Sequence, residues 1–169
     1  MNAAQRRKRI LDELRAAQGP LSATALAQRL SVSRQIIVGD VALLRAAGET
    51  VTATPRGYVL DRPLPGLVRT VACLHSGADM ERELTLMVDQ GCTVENVIVE
   101  HPVYGQLTGP LRLSSRYEVA QFVARCQEAE AAPLSQLTEG VHLHTLLCPD
   151  RGAADRVEKA LEALGFLYR

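Results

Sequence analysis

Two histidines two positions apart, His142 and His144 in GVHLHTLLC (residues 140–148), carry the first chemistry that this chain offers. A strand sends alternate side chains to one face and advances about 7 Å over two residues, so both imidazoles could share one metal ion. His75 closes an earlier apolar run, LVRTVACLH at 67–75. Glu83 follows, three residues after Met80 and four before Met87, which sets a carboxylate beside the apolar stripe of a helix, where it needs a partner. Two histidines from one strand, one from another and this glutamate would make a site of three nitrogens and one oxygen, suited to a borderline divalent ion such as zinc or nickel. Cys73 and Cys148 share strand parity with His75 and His144, and either could serve as a softer ligand. Spacing does not choose among these. On spacing alone, two polar residues on an exposed sheet face are the more ordinary arrangement, with Val141, Leu143 and Leu147 making the core on the other face. Spacing also leaves open how a helix residue reaches the face that bears the histidine pair.

The elements that would hold these groups are legible in the change of hydrophobic period. Residues 67–75 read as a strand, 78–89 as a helix, 92–100 and 106–113 as two strands. Ser115 and Glu118 have capping-box spacing ahead of a helix with Val119, Phe122, Val123 and Cys126 inward. Residues 140–148 form a fourth strand, and Asp150 caps a last helix burying Ala154, Val157, Leu161 and Leu164. The order is βαββαβα, a two-layer sandwich of ferredoxin-like type. His101-Pro102-Val103-Tyr104-Gly105 follows a strand directly and forms a turn at the sheet edge. The turn reads equally as a structural loop or as a place where His101 and Tyr104, a polar and an aromatic group, help to line a small-molecule pocket.

Ahead of this lies a different module. In residues 20–60, PLSATALAQRLSVSRQIIVGDVALLRAAGETVTATPRGYVL, Ser22 caps a short helix with Ala23, Leu26, Ala27 and Leu30 at helical spacing. Ser33 caps a second helix whose Ile37, Val41 and Leu44 point inward, turning Arg34, Gln35, Val38 and Gly39 outward. Gly48 ends it, and VTATPRGYVL follows as a hairpin with Arg56 at the tip. The reading is a winged helix-turn-helix: Ser33, Arg34 and Gln35 face a major groove, and Arg56 meets a phosphate or the minor groove. Charge agrees. Residues 1–60 hold nine basic and four acidic side chains, while the remaining 109 hold ten basic and fifteen acidic, so a chain of zero net charge divides into +5 and −5. Only the first part is built to meet a polyanion. Read alone, the cluster Arg6 to Arg9 also fits a solvated helix face.

With 169 residues and 47% apolar content, the chain is expected to form two domains, 1–62 and 66–169, divided at Asp61-Arg62-Pro63-Leu64-Pro65-Gly66. The fold class is α+β. No apolar stretch is long enough to span a membrane, and the basic start lacks an apolar segment behind it, so a cytoplasmic protein is expected. Cys73, Cys92, Cys126 and Cys148 stand singly, without a CxxC pair, as reduced buried thiols do.

SVSRQIIVGDVALLRAAG and ATPRGYVL resemble the helix-turn-helix of the niacin-responsive transcriptional repressors. His75, HPVYG at 101–105 and His142-Leu143-His144 resemble the three-histidine domain joined to it in that family. The similarity covers nearly the whole chain. It implies a homodimer that represses genes of NAD synthesis and niacin uptake by binding palindromic double-stranded operator DNA, with nicotinic acid as co-repressor. It further implies a divalent metal, nickel or zinc, on His75, Glu83, His142 and His144. Gly39 departs from the long polar residue common in the family, at a cost of about 1 kcal/mol in helix propensity relative to alanine. Two other readings stand beside this one. A metal sensor keeps the DNA domain and makes the ion the signal. A metalloenzyme would use an open metal position to activate water, but the motifs place no evident base beside the ligands and no glycine-rich phosphate cradle.

Overall fold

The computed structural model describes residues 1–61 and 66–169, so most of the expected linker lies outside the described residues. The chain divides into two compact units, one ending at Pro63 and the other beginning at Leu64.

The first unit has helices α1 (Ala3–Ala16), α2 (Ala23–Leu30) and α3 (Arg34–Ala46), then a hairpin of β1 (Val51–Thr54) and β2 (Gly57–Leu60). Each helix start is fixed by a side chain. Asn2 and Gln5 form a reciprocal capping box on α1, Ser22 accepts from the Ala25 amide, and Ser33 accepts from that of Ile36. The core joins Ile10, Leu11 and Leu14 of α1 to Leu26, Leu30, Ile37, Val41, Leu44 and Val51. Thus α1 is a third wall of this core. Its Arg6 and Arg7 turn inward to Asp40, a buried carboxylate on α3, so Arg6 is not part of a simple solvated face.

Gly57 ties the hairpin down. Tyr58 and Leu21 exchange both backbone hydrogen bonds, and at Gly57, with φ +139°, a Cβ would fall 2.5 Å from the Leu21 carbonyl carbon. No side chain fits there.

The second unit runs β3 (Leu67–Leu74), a 3-10 turn at 77–79, α4 (Met80–Asp89), β4 (Thr93–His101), β5 (Gly105–Leu113), α5 (Arg116–Glu128), a 3-10 turn at 134–138, β6 (Val141–Cys148) and α6 (Arg151–Ala163). This is the expected βαββαβα order. The four strands form one antiparallel sheet in the order β3-β6-β4-β5. The second and fourth strands of the domain therefore occupy the centre, whereas a ferredoxin-like sheet places the first and third there. The expected ferredoxin-like type is corrected to this order, which still consists of two interlocked split β-α-β units.

One sheet face is covered by helices. Val71, Cys73, Val94, Leu111, Leu113, Leu146 and Cys148 meet Leu84 and Met87 of α4, Val119 of α5, and Ala154, Val157 and Leu161 of α6. Leu143 lies on the opposite, open face with Val68 and Leu74, all exposed. The expectation that Val141, Leu143 and Leu147 make the core is thereby overturned. The parity of His142 and His144 is that of Leu146 and Cys148, and the helices cover it. In α5 only Val119 is buried, with Phe122 and Val123 packed partly against the core. The Ser115 hydroxyl caps α5 as expected, but the Glu118 carboxylate closes onto the amide and hydroxyl of Ser114.

Candidate functional site

Because the helices cover the histidine face, α4 reaches it directly. His142 and His144 are each 3% exposed and Glu83 is 1% exposed, so the exposed polar face anticipated from spacing is not what forms. Glu83 lies in the first turn of α4, where the helix dipole favours a negative charge. His75 follows β3 directly. Gly140, at φ +96°, lets the start of β6 pass so close to the His75 backbone that a Cβ would lie 2.6 Å from the His75 carbonyl oxygen.

All three imidazoles present Nε2 to this one carboxylate: His75 at 2.7 Å, His142 at 3.1 Å and His144 at 3.3 Å. The His75 contact is close but misaligned, and its Nε2 is buried without a hydrogen-bond partner. Each Nδ1 meets a backbone carbonyl, of Ser76 at 2.7 Å, Gly140 at 2.8 Å and Asn96 at 2.7 Å. A carbonyl only accepts, so each Nδ1 carries its proton and donates. Neutral rings in this tautomer aim three Nε2 lone pairs and a carboxylate at one another. That convergence of acceptors calls for a cation, and a backbone carbonyl behind each histidine is how a metal ligand is oriented. Among the described residues, a Glu83 oxygen, a His142 ring nitrogen and Cys73 Sγ lie within 4.8 Å of one another and could hold a divalent ion.

Without a metal, protons fill the role. Burial alone would raise the Glu83 carboxyl, but hydrogen bonding by His142 and the charge and hydrogen bonding of His144, with His75 adding, hold it well below the usual carboxylate range. Burial would lower the His75 imidazole, yet contact with Glu83, the Ser76 carbonyl and the charge of Asp79 raise it. Cys73 also borders the cluster, its thiol pushed up by burial and by Glu83. Cys148, the other thiol of that parity, instead meets Cys92 at an Sγ–Sγ distance of 2.9 Å.

Two clefts adjoin residues of the cluster. One, of about 670 Å³, is lined by Ile98, Glu100, His101, Thr138, His142 and Leu143, the last on the open face of the sheet. The other, of about 680 Å³, is lined by His75, Ser76, Gly77, Ser135, Gln136 and Gly140. His101 Nδ1 accepts from the amides of Val103 and Tyr104, which shapes the turn. Tyr104 is exposed and packs on the His101 ring, with centroids 5.0 Å apart, and is not among the residues that line either cleft. Sequence reasoning missed the 3-10 turn at 134–138, which supplies Ser135, Gln136 and Thr138. Pro133 in front of it was the available signal.

In the first unit, Ser33, Arg34 and Gln35 are exposed at the start of α3, and Gly39 follows on the same side. Ile36 is 41% exposed among them, an apolar group missed because its neighbour Ile37 carries the core periodicity. It offers a contact for a thymine methyl. Arg56 lies at the hairpin tip, half-buried, its amide donating to Thr54 Oγ1 at 3.3 Å.

The comparisons agree with both units. Residues 6–59 match an HTH domain and residues 68–169 match the 3H domain. The chain is 44% identical over 170 residues to the transcription repressor NadR of Bacillus subtilis, covering 98% of this chain and 94% of that protein. It is 44% identical over 163 residues to the probable transcription repressor NiaR of Thermotoga maritima, covering 96% and 93%. The chain belongs to the niacin-responsive transcriptional repressor family. It is a DNA-binding regulator rather than an enzyme, with an α+β fold in which a winged helix-turn-helix precedes a 3H domain. Among the described residues, no helix is long and apolar enough to cross a membrane.

Proposed function

We propose that this repressor acts on genes of NAD synthesis and niacin uptake, as a homodimer on double-stranded operator DNA, with nicotinic acid as co-repressor and a divalent metal in the 3H domain. The observation that carries the metal reading is the geometry around Glu83: three imidazoles with Nδ1 on backbone carbonyls and Nε2 on one buried carboxylate. His75, Glu83, His142 and His144 hold the ion. Nicotinic acid would occupy the cleft beside His101 and His142, or would instead give its carboxylate or ring nitrogen directly to an ion held by the cluster, which would need an open coordination position. Ser33, Arg34 and Gln35 read base edges, while Arg56 contacts the backbone or minor groove. These roles fit the family membership and the positive charge of residues 1–60.

Operator binding titrated separately with metal and with nicotinic acid tests this reading. Metal-loaded protein is expected to bind tightly only when nicotinic acid is added. Full response to metal alone favours the metal sensor. Elemental analysis of dialysed His142→Ala and His144→Ala proteins checks the ligands, with loss of bound metal expected in both.

A further inference from the structure

Cys73 stands inside the donor cluster, and the reading above gives it no part. It lies on β3 opposite His142 in the ladder, sealed from solvent. Its Sγ, a Glu83 oxygen and a His142 ring nitrogen all lie within 4.8 Å of one another. Donors on a tetrahedral zinc lie about 3.3 to 3.6 Å apart, so shifts of up to about an ångström bring these three onto one centre. His75, counted above among the ligands, has a side chain 4% exposed whose Nε2 is aimed into the same cluster, 2.7 Å from Glu83 and without an aligned hydrogen-bond partner.

We propose that Cys73 is a further ligand of the metal, adding a thiolate to the imidazoles and Glu83 and biasing the site toward a thiophilic divalent ion such as zinc. The inference rests on the metal reading above. On binding, the Sγ–H bond breaks, the sulfur lone pair forms the bond to the ion, and the proton leaves to solvent with no change of oxidation state. Nitrogen and oxygen ligands alone suit nickel and zinc alike, whereas a soft sulfur separates them. Cys148 is engaged with Cys92 and does not compete for this role. A purely structural Cys73 would do no more than direct its S–H at Glu83.

Chelator-stripped full-length chain loaded with Co(II) distinguishes these roles by absorption. The native chain is expected to show a near-ultraviolet thiolate-to-cobalt charge-transfer band beside its visible ligand-field bands. Cys73→Ser should keep the ligand-field bands and the cobalt stoichiometry and lose the near-ultraviolet band, while Cys148→Ser keeps both. Zinc affinity measured by chelator competition should fall about tenfold or more in Cys73→Ser. A native chain that binds cobalt without the near-ultraviolet band overturns the thiolate and leaves the four-ligand metal reading intact, as does a Cys73→Ser chain that retains the band. A native chain that binds no cobalt overturns both.

Discussion

The backbone carbonyl of Asn96 accepts from His144 Nδ1 at 2.7 Å, at the point where the register of β4 shifts between Val94 and Asn96. The Asn96 side chain secures that irregularity, its Oδ1 accepting from the Thr145 amide at 3.0 Å. A bulge re-aims the groups beside it, and here it turns a carbonyl onto a histidine. Asn96→Ala removes the side-chain tie and keeps the carbonyl, so metal affinity should drop by about tenfold, the lower end of the effect of outer-shell partners. Competition against a chelator reads this, and unaltered affinity would assign the tie to the fold alone.

In the metal-free protein, the cluster makes stability depend on pH from both sides. Glu83 is depressed from an ordinary value of 4.5, so its contribution is present above 4.5 and lost as pH falls through the lower folded value. His75 is raised from 6.5, so its contribution is complete below 6.5 and lost as pH rises through the higher folded value. Together they contribute most between those two ordinary values. Metal ligands must shed protons, so the stabilisation added by zinc should grow as the metal-free protein weakens. Thermal melts run from below pH 4.5 to well above pH 6.5, with and without zinc, should therefore diverge on the alkaline side. Parallel curves would count against the cluster.

Leu146 and Leu143 separate the two sheet faces. Leu146 is fully buried under the helices, and Leu143 is 37% exposed on the other side. Leu146→Ala should cost about 2 to 5 kcal/mol in a denaturant titration. Leu143→Ala should cost no more than about 1 kcal/mol.

How much of this was legible in the sequence can be judged on β6. VHLHTLLC announces a strand and sets both histidines on one side, and that holds. It does not announce which side is inside, because Val141, Leu143 and Leu147 are apolar at one parity and Leu146 and Cys148 at the other. The decision comes from where α4, α5 and α6 pack, which is a non-local fact. Serine and aspartate caps at Ser22, Ser33, Ser115 and Asp150 were readable because capping is local. The pairing of Arg6 with Asp40 spans 34 residues and was not, nor was the sheet order.

For the DNA-reading surface, Arg34→Ala should weaken operator binding by about 1 to 3 kcal/mol and leave random DNA little affected. Arg56→Ala should weaken both and flatten the salt dependence. Gel-shift titrations on the two DNAs measure each. If neither variant changes affinity, this surface is not the one that reads DNA.

A helix-turn-helix reads one half-site, and two must sit about 34 to 36 Å apart, so the proposed operator binding requires a dimer. If nicotinic acid tightens operator binding, operator must tighten nicotinic acid binding by the same factor. Calorimetric titration of nicotinic acid with and without operator compares the two. Equal affinities, or a monomer by sedimentation at micromolar concentration, would remove the co-repressor role.

β3 and β6 are the first and last strands of the second unit, and they pair along their whole length, from Leu67 with Cys148 to Leu74 with Val141. Glu83 and His142 are 59 residues apart in the chain. A contact of such separation has to close a large loop, an entropic cost met before the contact is rewarded. Were the cluster to close only after the folding barrier, an ion held there would find its binding place only in the completed domain. It would leave the rate of folding nearly unchanged and slow unfolding instead, acting as a latch on a finished domain rather than a seed for an unfinished one.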